Sequence, residues 1–347
     1  MKSIMELFFK KQKNSLLGID LTTHDIKIVE LSRLMDGRYR IEGYAYKELP
    51  GGLVGDDIVL DTTQVGQIIR ELVESNKFLT KDVAISVPKN TVITQNIVVT
   101  GDNEREIESE IENSGKKYVH TDISEVEFDF KILSNNSDTS KNVLLVACKK
   151  KNITTRDDSI VIAGLEPKIV DSESYVYERI FPIVVNQVKY ELAAQDKNIN
   201  VILMVELFEK KIKTVLLNNG LTVYNEEQSI EIDRRSLKTI SLEDESNVHD
   251  VSAYQKGVCA AINKVINLVS ASSSDSNQIS CITFMGQEKY IEETREYVEN
   301  KLKINCRVAN PTGGMEISDK INILDLAEKA SLLVVACGLA MRENKYD

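Results

Sequence analysis

The chain has 347 residues, of which 42% are hydrophobic and 28% are charged, a composition typical of a globular protein with one large domain or two lobes. Its net charge of −11 argues against nucleic acid as the main partner, because phosphate binding requires a cationic surface. Five widely spaced cysteines without a CxxC pair and three scattered histidines argue against a disulfide framework and a clustered metal site, and they fit a reducing compartment.

The first residues, MKSIMELFFKKQKN, place five apolar side chains before three lysines. The segment lacks the longer apolar core and the small-residue cleavage site of a signal peptide, and no stretch of the chain reaches the roughly 20 apolar residues of a membrane span. Two interpretations stay open. The segment is a short helix that packs on the body, or it is a weak foothold on an anionic membrane surface or on a partner.

Apolar runs and alternating patterns predict the strands of the first half of the chain. These strands lie at 16–20, 26–31, 39–46, 83–87, 92–99, 126–133 and 143–150. Helices are predicted where apolar residues recur three and four positions apart or where a glycine ends a helical run. They lie near 65–73, 102–118 and 154–164, and the stretch 167–180 predicts a strand that leads into a helix.

The second half begins near residue 200 with three further predicted strands, at 202–207, 211–217 and 221–226. A long helix is predicted around 258–269, where apolar residues share one face. A buried strand that ends at Gly286, a helix, a strand near 305–310 and the turn PTGG follow in that order. The last predicted helix covers 324–341.

The two halves contain an internal repeat. LLGIDLTTHDIKIVEL, which starts at Leu16, aligns without a gap with ILMVELFEKKIKTVLL, which starts at Ile202, so that Asp20 falls on Glu206. Each copy opens a meander of three strands that a helix follows. Two equivalent hairpins, each with a carboxylate at its turn, predict two related lobes that face each other across a cleft.

A pair of carboxylates in such a cleft suits a magnesium ion that keeps several waters and bridges phosphate oxygens. Asp20 and Glu206 are therefore the candidate metal residues, and the backbone N–H groups of the turns are candidate phosphate donors. Lys27 has two interpretations: it points into the cleft, or it lies on the solvent face of a half-buried strand. Asp20 has a second interpretation too, since aspartate commonly forms hydrogen bonds within its own turn.

A Gly-x-Asp hairpin with a following lysine, its echo in the second half and a late strand that ends in glycine resemble the actin, sugar-kinase and Hsp70 ATPase superfamily. Several segments are similar to the PilM family, the actin-like proteins of type IV pilus assembly. They are LLGIDLTTHDIKIVEL, YRIEGYAYKELPGGLV, AISVPKNTVITQNIVV, VLLVACKKKNI, AGLEPKIVDSESYVYER and the tail CRVANPTGGMEIS…ASLLVVACGLAMR. The likeness spans nearly the whole chain in the same order.

The resemblance implies an α/β fold of the actin-like, ribonuclease H-like type with two duplicated lobes. The first lobe would cover residues 1–200 with a small inserted subdomain at about 82–164, and the second lobe would cover 201–347. It also implies a partner: the N-terminal cytoplasmic segment of a PilN-like inner-membrane protein, held in a groove beside the inserted subdomain. The protein would then lie in the cytoplasm at the inner face of the inner membrane, reach that membrane only through partners, and join the pilus motor and platform proteins of twitching motility.

By the same resemblance, ATP or ADP with magnesium would occupy a cleft that includes Asp20, Thr22, Thr23, Lys27 and Glu206. The sequence departs from the superfamily at its phosphate loops. Thr22 stands where glycine is common, and a β-carbon restricts the approach of the backbone to a phosphate. The second loop has Phe208 where an Asp-x-Gly pattern would place glycine, and an inward-pointing ring would fill the space that a phosphate needs.

The third departure lies in the adenosine loop. Gly286 stands alone where two or three glycines are usual, and Gln287 would intrude on a purine. We therefore expect a degenerate nucleotide cleft without catalytic residues, in a scaffold that binds the PilN-like segment. The alternative is an active Mg-ATP-binding ATPase or a phosphotransferase of the kinase superfamily. A third interpretation is a polymerising cell-division relative that the N-terminal segment tethers to a membrane.

Overall fold

The computed structural model describes residues 15–119, 122–135, 140–192, 199–230, 251–272 and 278–342. The N-terminal segment, for which the sequence leaves open a packed helix or a membrane foothold, lies outside these residues. Within them, no helix combines the length and the apolar character that crossing a membrane requires.

The described residues form strands and helices, with three consecutive strands at the start of each half of the chain. The strands are β1 (Ser15–Leu21), β2 (Asp25–Arg33), β3 (Tyr39–Glu48), β4 (Asp82–Val87), β5 (Val92–Thr100), β6 (Val126–Asn135), β7 (Ser140–Lys149), β8 (Glu166–Ser172), β9 (Val201–Leu207), β10 (Lys211–Asn218), β11 (Leu221–Ser229), β12 (Cys281–Gly286), β13 (Cys306–Val308) and β14 (Glu316–Ile317). The helices are α1 (Thr62–Asn76), α2 (Glu104–Ser114), α3 (Lys116–Val119), α4 (Lys150–Ile162), α5 (Glu173–Glu191), α6 (Val251–Ser272), α7 (Glu288–Leu302), α8 (Ile323–Lys329) and α9 (Val334–Ala340).

The chain divides into two compact units. The first unit comprises Leu16–Ile28 and Tyr44–Glu173, and the second unit comprises Val29–Gly43 and Ser174–Met341. In the first unit, β2, β1, β4 and β8 lie side by side in that order, and β1, β4 and β8 are parallel. The carboxyl ends of these parallel strands therefore share one edge of the sheet, where polar residues of the first unit collect.

The core of the first unit forms because β1 and β4 are apolar on both faces, as expected of strands covered on both sides. Helices α1 and α4 contribute Val65, Ile69 and Ile160 to this core. Asp61 begins α1 by accepting a hydrogen bond from the backbone N–H of Gln64, the usual means of satisfying a free donor at a helix start.

A second sheet of the first unit, which we call the small sheet, consists of antiparallel strands in the order β5, β7, β6. Alternate residues of its strands, such as Ile97 and Val143, pack with Ile107 and Ile111 of α2. These two isoleucines are four positions apart and so share one face of the helix. The residues between these buried ones point to the opposite face of the small sheet.

The second unit contains a sheet with the order β11, β10, β9, β12, β13, and its core lies against α6 and α7. Strand β14 pairs with β3 in the same unit. Strands β9 and β10 begin at Val201 and Lys211, each 186 positions after the start of β1 and β2. The repeat predicted from the sequence is therefore confirmed for these two pairs of strands.

The structure also differs from the sequence prediction. The single helix predicted over 324–341 is instead α8, a 3₁₀ turn at Ala330–Leu333, and α9. A tertiary contact accompanies the tightened turn, because the hydroxyl of Ser331 donates a hydrogen bond to the carbonyl of Gly286. Helix α4 begins at Lys150 rather than near 154, since β7 runs directly into it, and the two-residue strand β14 was not predicted.

Gly66 tests how closely α1 and α4 pack. A β-carbon built on Gly66 would lie 2.6 Å from the Cγ2 of Ile162 and 2.8 Å from the backbone oxygen of Ser159. Gly66→Ala should therefore lower the free energy of unfolding by about 1–3 kcal/mol, although alanine favours a helix by about 1 kcal/mol. Gly51→Ala, where nothing lies within 4 Å, is the control and should change stability little. Chemical denaturation measures both, and an equally stable Gly66→Ala variant would contradict the packing described.

Candidate functional site

The turn between β1 and β2 holds a buried ion-pair triad. The Nζ of Lys27 lies 3.0 Å from the Oδ2 of Asp20 and 2.8 Å from the Oδ1 of Asp25, and the lysine side chain is 1% exposed. The sheet forces this arrangement, because β2 is buried on both faces and leaves no solvent side for Lys27. Of the two interpretations that the sequence left open for Lys27, the solvent-facing one is therefore wrong.

Thr22 closes the turn. Its Oγ1 donates to the Oδ1 of Asp25 at 2.6 Å and accepts hydrogen bonds from the backbone N–H groups of His24 and Asp25, each at 3.1 Å. The backbone N–H of Thr22 donates to the carbonyl of Asp25 at 3.0 Å. Three backbone donors of this turn are thus satisfied inside the turn itself. Thr23 lies half-buried at the same turn.

Electrostatics at Asp20 are dominated by its burial. Burial raises the pKa of Asp20, Lys27 lowers it, and the nearby carboxylates of Asp25 and Glu173 raise it again. The net direction is upward, because a charge removed from water is disfavoured unless its surroundings compensate fully. Lys27 is the neighbour that favours the charged form of Asp20 most.

A buried arginine of the first unit was missed by the sequence reasoning. Arg156 of α4 is 1% exposed, and its Nη1 donates to the carbonyls of Asp57 and Asn152 at 2.7 and 3.1 Å. Burial lowers the pKa of Arg156, and the charge of Glu173 opposes that effect more than the charge of Asp20 does. Its neighbours in the sequence are threonines and aspartates, so the local pattern gave no sign of burial.

The equivalent turn of the second unit also carries a buried carboxylate and a buried lysine. Glu206 and Lys213 are opposite each other on the antiparallel strands β9 and β10, and both are buried, with 6% and 8% exposed. The Nζ of Lys213 lies 5.7 Å from the centre of the Tyr177 ring on α5. An aromatic face at that distance stabilises a lysine ammonium. The lysine of the second copy is therefore accommodated partly by a ring.

Phe208 occupies the turn itself. Its backbone N–H donates to the carbonyl of Lys211 at 3.0 Å, and its carbonyl accepts the hydroxyl of Tyr254 at 2.8 Å. Both main-chain groups of Phe208 thus have partners within the second unit. Its side chain is half-buried, and the prediction that the ring fills a phosphate position stays a prediction.

Gly286 has a structural reason to be glycine. Its φ is +111°, and a β-carbon there would lie 2.7 Å from the backbone oxygen of Leu207 on the neighbouring strand. Gln287 follows and precedes α7, where its carbonyl accepts the backbone N–H of Tyr290. The close approach of β12 to β9 is sufficient to require this glycine.

The structure thus brings Asp20, Thr22, Thr23 and Lys27 together in the first unit. Glu206, Gly286 and Gln287 lie at the ends of adjacent strands in the second unit, since β12 pairs with β9. Asp25 belongs to the first group and was not predicted, although its place three positions after Thr22 and two positions before Lys27 was visible in the sequence. That these two groups form one nucleotide and magnesium cleft stays a prediction.

The fold itself is that of the actin-like class. The structure resembles that of a "PilM-PilN type IV pilus biogenesis complex" with a TM-score of 0.70 and 18% identity, covering 95% of this chain and 98% of that one. It also resembles the ethanolamine utilization protein EutJ from Carboxydothermus hydrogenoformans, with a TM-score of 0.50 and 13% identity over 94% of this chain and 89% of that one.

A family model matches nearly the whole chain as well. The family described as type IV pilus assembly protein PilM matches residues 18–233 and 235–344. The chain therefore belongs to the PilM family. The fold and the recognition predicted from the sequence segments are both confirmed.

Lys27→Met tests the triad. The variant removes the direct ion-pair partner of the buried Asp20 and Asp25, and breaking a buried ion pair costs about 3–5 kcal/mol of folding stability near neutral pH. It also removes the interaction that lowers the pKa of Asp20, so the pKa in the folded variant rises further above that of the unfolded chain. A group with a raised folded pKa loses its contribution as pH increases through that value, so the deficit relative to wild type should grow from pH 5 to pH 8.

Chemical denaturation at both pH values measures this deficit. Lys47→Met is the matched control, because Lys47 and Glu71 form an exposed ion pair at 3.2 Å. An exposed pair contributes about 0–1 kcal/mol, so the control should stay near wild type at both pH values. A Lys27→Met variant as stable as wild type at pH 8 would show that the triad does not organise the turn.

Proposed function

We propose that this protein is a cytoplasmic scaffold of type IV pilus assembly that binds the N-terminal cytoplasmic segment of a PilN-like inner-membrane protein. Through that contact it lies at the inner face of the inner membrane, beside the motor and platform proteins that drive twitching motility. Membership of the PilM family carries the proposal. The likeness to a PilM–PilN complex, which extends over nearly all of both chains, supports it.

The second part of the proposal is a degenerate nucleotide cleft. A phosphate-binding turn must offer unpaired N–H groups and a cation, but the Thr22 hydroxyl and the carbonyl of Asp25 already take three donors of the first turn. The ammonium of Lys27 is neutralised by two carboxylates, so it is not available to a phosphate without breaking the triad. In the second turn, the N–H of Phe208 is bonded to Lys211.

The alternative is a Mg-ATP-binding ATPase or phosphotransferase. One observation favours it: both copies of the repeat retain a buried carboxylate and a buried lysine, namely Asp20 with Lys27 and Glu206 with Lys213. ATP or ADP with magnesium would then displace Lys27 from Asp20, and Thr23, Gly286 and Gln287 would border the nucleotide. The two functions differ in the ligand that should bind and stabilise the folded chain: a PilN-like peptide for the scaffold, and Mg-ATP or Mg-ADP for the alternative.

The scaffold function predicts binding of a peptide. A synthetic peptide of the N-terminal cytoplasmic segment of the PilN-like protein from the same organism should bind the full chain with a dissociation constant in the micromolar range, since a short segment that orders on binding forms a small interface. Isothermal titration calorimetry measures it. A scrambled peptide of the same composition is the control and should give no heat beyond dilution. Equal heats from both peptides, or none from either at several hundred micromolar, would refute the scaffold proposal.

The degenerate cleft predicts no response to nucleotide. A ligand that binds only the folded state stabilises it, by about 2.7 kcal/mol at a concentration 100 times its dissociation constant. That stabilisation raises the melting temperature. We expect no shift for wild type with millimolar Mg-ATP or Mg-ADP in differential scanning fluorimetry. Phe208→Gly is the informative variant, because a shift gained only in the variant would identify the ring as the obstacle. A clear shift in wild type would favour the alternative function.

A further inference from the structure

Strand β6 is an edge of the small sheet. It pairs with β7 on one side, and the described residues place no strand on its other side. Phe128, Phe130 and Ile132 face the core of the small sheet and are only partly buried. The intervening residues Asp129 and Lys131 are exposed on the opposite face. An edge that joins partly covered aromatic rings to free main-chain groups is a template for a further strand.

The main chain of β6 shows which groups face outward. The backbone N–H of Phe130 donates to the Oδ1 of its own neighbour Asp129 at 2.8 Å. We therefore assign this N–H to the outer edge of β6, on the side away from β7. In an antiparallel strand, the main-chain N–H and C=O groups of successive residues point alternately to one edge and to the other. Those of Phe128 and Ile132 therefore face outward as well.

Glu127 of β6 pairs with Lys150 at 3.6 Å, but Asp129 and Lys131 have no charged residue opposite them on β7. Asp129 is opposite Val146 and Lys131 is opposite Leu144 on β7, so neither has a counter-ion across the strand pair. The described part of the chain contains no salt bridge to either residue. Asp129 and Lys131 lie two positions apart on one face of β6. They are therefore complementary to Lys131 and Asp129 of a second copy of β6 that runs antiparallel to the first.

The geometry points to a self-complementary association in which β6 pairs antiparallel with β6 of a second copy of this chain, with Phe130 opposite Phe130. In that register the outward main-chain groups of Phe130 bond to each other, and those of Phe128 bond to Ile132 of the second copy. Asp129 is then opposite Lys131 of the second copy, and the reverse, in the closely spaced pairs that the ladder leaves between its hydrogen bonds. The two small sheets become one sheet of six strands.

This association exchanges one set of contacts for another. The carboxylate of Asp129 leaves the N–H of Phe130 and meets Lys131 of the second copy, while the N–H finds a carbonyl. The interface has two-fold symmetry, which is the commonest form of association between identical chains. The interface is small, because a single strand pair buries less area than the standard interface of about 1,600 Å². We therefore expect a weak dimer, with a dissociation constant of roughly 10–100 µM.

Sedimentation equilibrium of the full chain at about 150 mM salt tests the proposal, since that salt screens the long-range repulsion of two acidic proteins. Wild type should form a dimer. Lys131→Asp places like charges opposite each other twice and should weaken the dimer about tenfold. The exchange variant Asp129→Lys with Lys131→Asp restores both pairs in reverse and should recover the wild-type affinity. Lys256→Asp, the same charge change at an exposed position of α6, is the control and should leave the affinity unchanged.

A mixture sharpens the test. Asp129→Lys chains carry two lysines and Lys131→Asp chains carry two aspartates, so each weakens its own dimer while the mixed dimer regains both attractive pairs. The mixed dimer should be about tenfold tighter than either parent variant. A wild-type chain that stays monomeric at 200 µM overturns the proposal. So does a dimer whose affinity ignores all these variants, because its interface then lies elsewhere.

Discussion

The ion-pair triad at the first turn is the constraint on which the rest of the site depends. A lysine on a strand that is buried on both faces needs compensation for its lost hydration, and two carboxylates within 3.0 Å supply it. Asp20 comes from β1, Asp25 and Lys27 from the start of β2, so the triad fixes the two strands against each other. Thr22 completes it by orienting Asp25 and by taking the free donors of the turn. The polar groups of the turn thus form hydrogen bonds and ion pairs with one another.

The two copies of the repeat show how one backbone supports different side-chain solutions. The strands keep the same spacing, and a carboxylate and a lysine recur at equivalent positions. The first copy neutralises its lysine with two acids, whereas the second places a tyrosine ring near the ammonium. Phe208 replaces the small residue that a phosphate loop would need, and its main chain is committed to Lys211 and Tyr254. These features support the proposal that the chain uses the actin-like fold to associate with other proteins rather than to act on a nucleotide.

The small sheet has an edge strand, β6. Its inner face is filled by α2, and the strand order leaves β6 with unused main-chain groups beside the exposed pair Asp129 and Lys131. Surfaces of this kind serve assembly, because main-chain hydrogen bonds provide affinity and alternating side chains provide register. The proposed strand pairing would give this PilM-family chain a surface for association in addition to the proposed peptide-binding groove.

The sequence by itself determined the repeat and most of the strands, because apolar periodicity and turn residues are local signals. The family followed from the resemblance of several segments to PilM proteins. It also identified Asp20 and Lys27 as unusual. It did not determine that Lys27 is buried, since alternation in a strand permits either face until neighbours cover both. The break between α8 and α9 and the burial of Arg156 were likewise decided by tertiary contacts. Each depends on residues distant in the sequence or on a register that no local pattern encodes, and the surrounding structure selects one of several locally acceptable states.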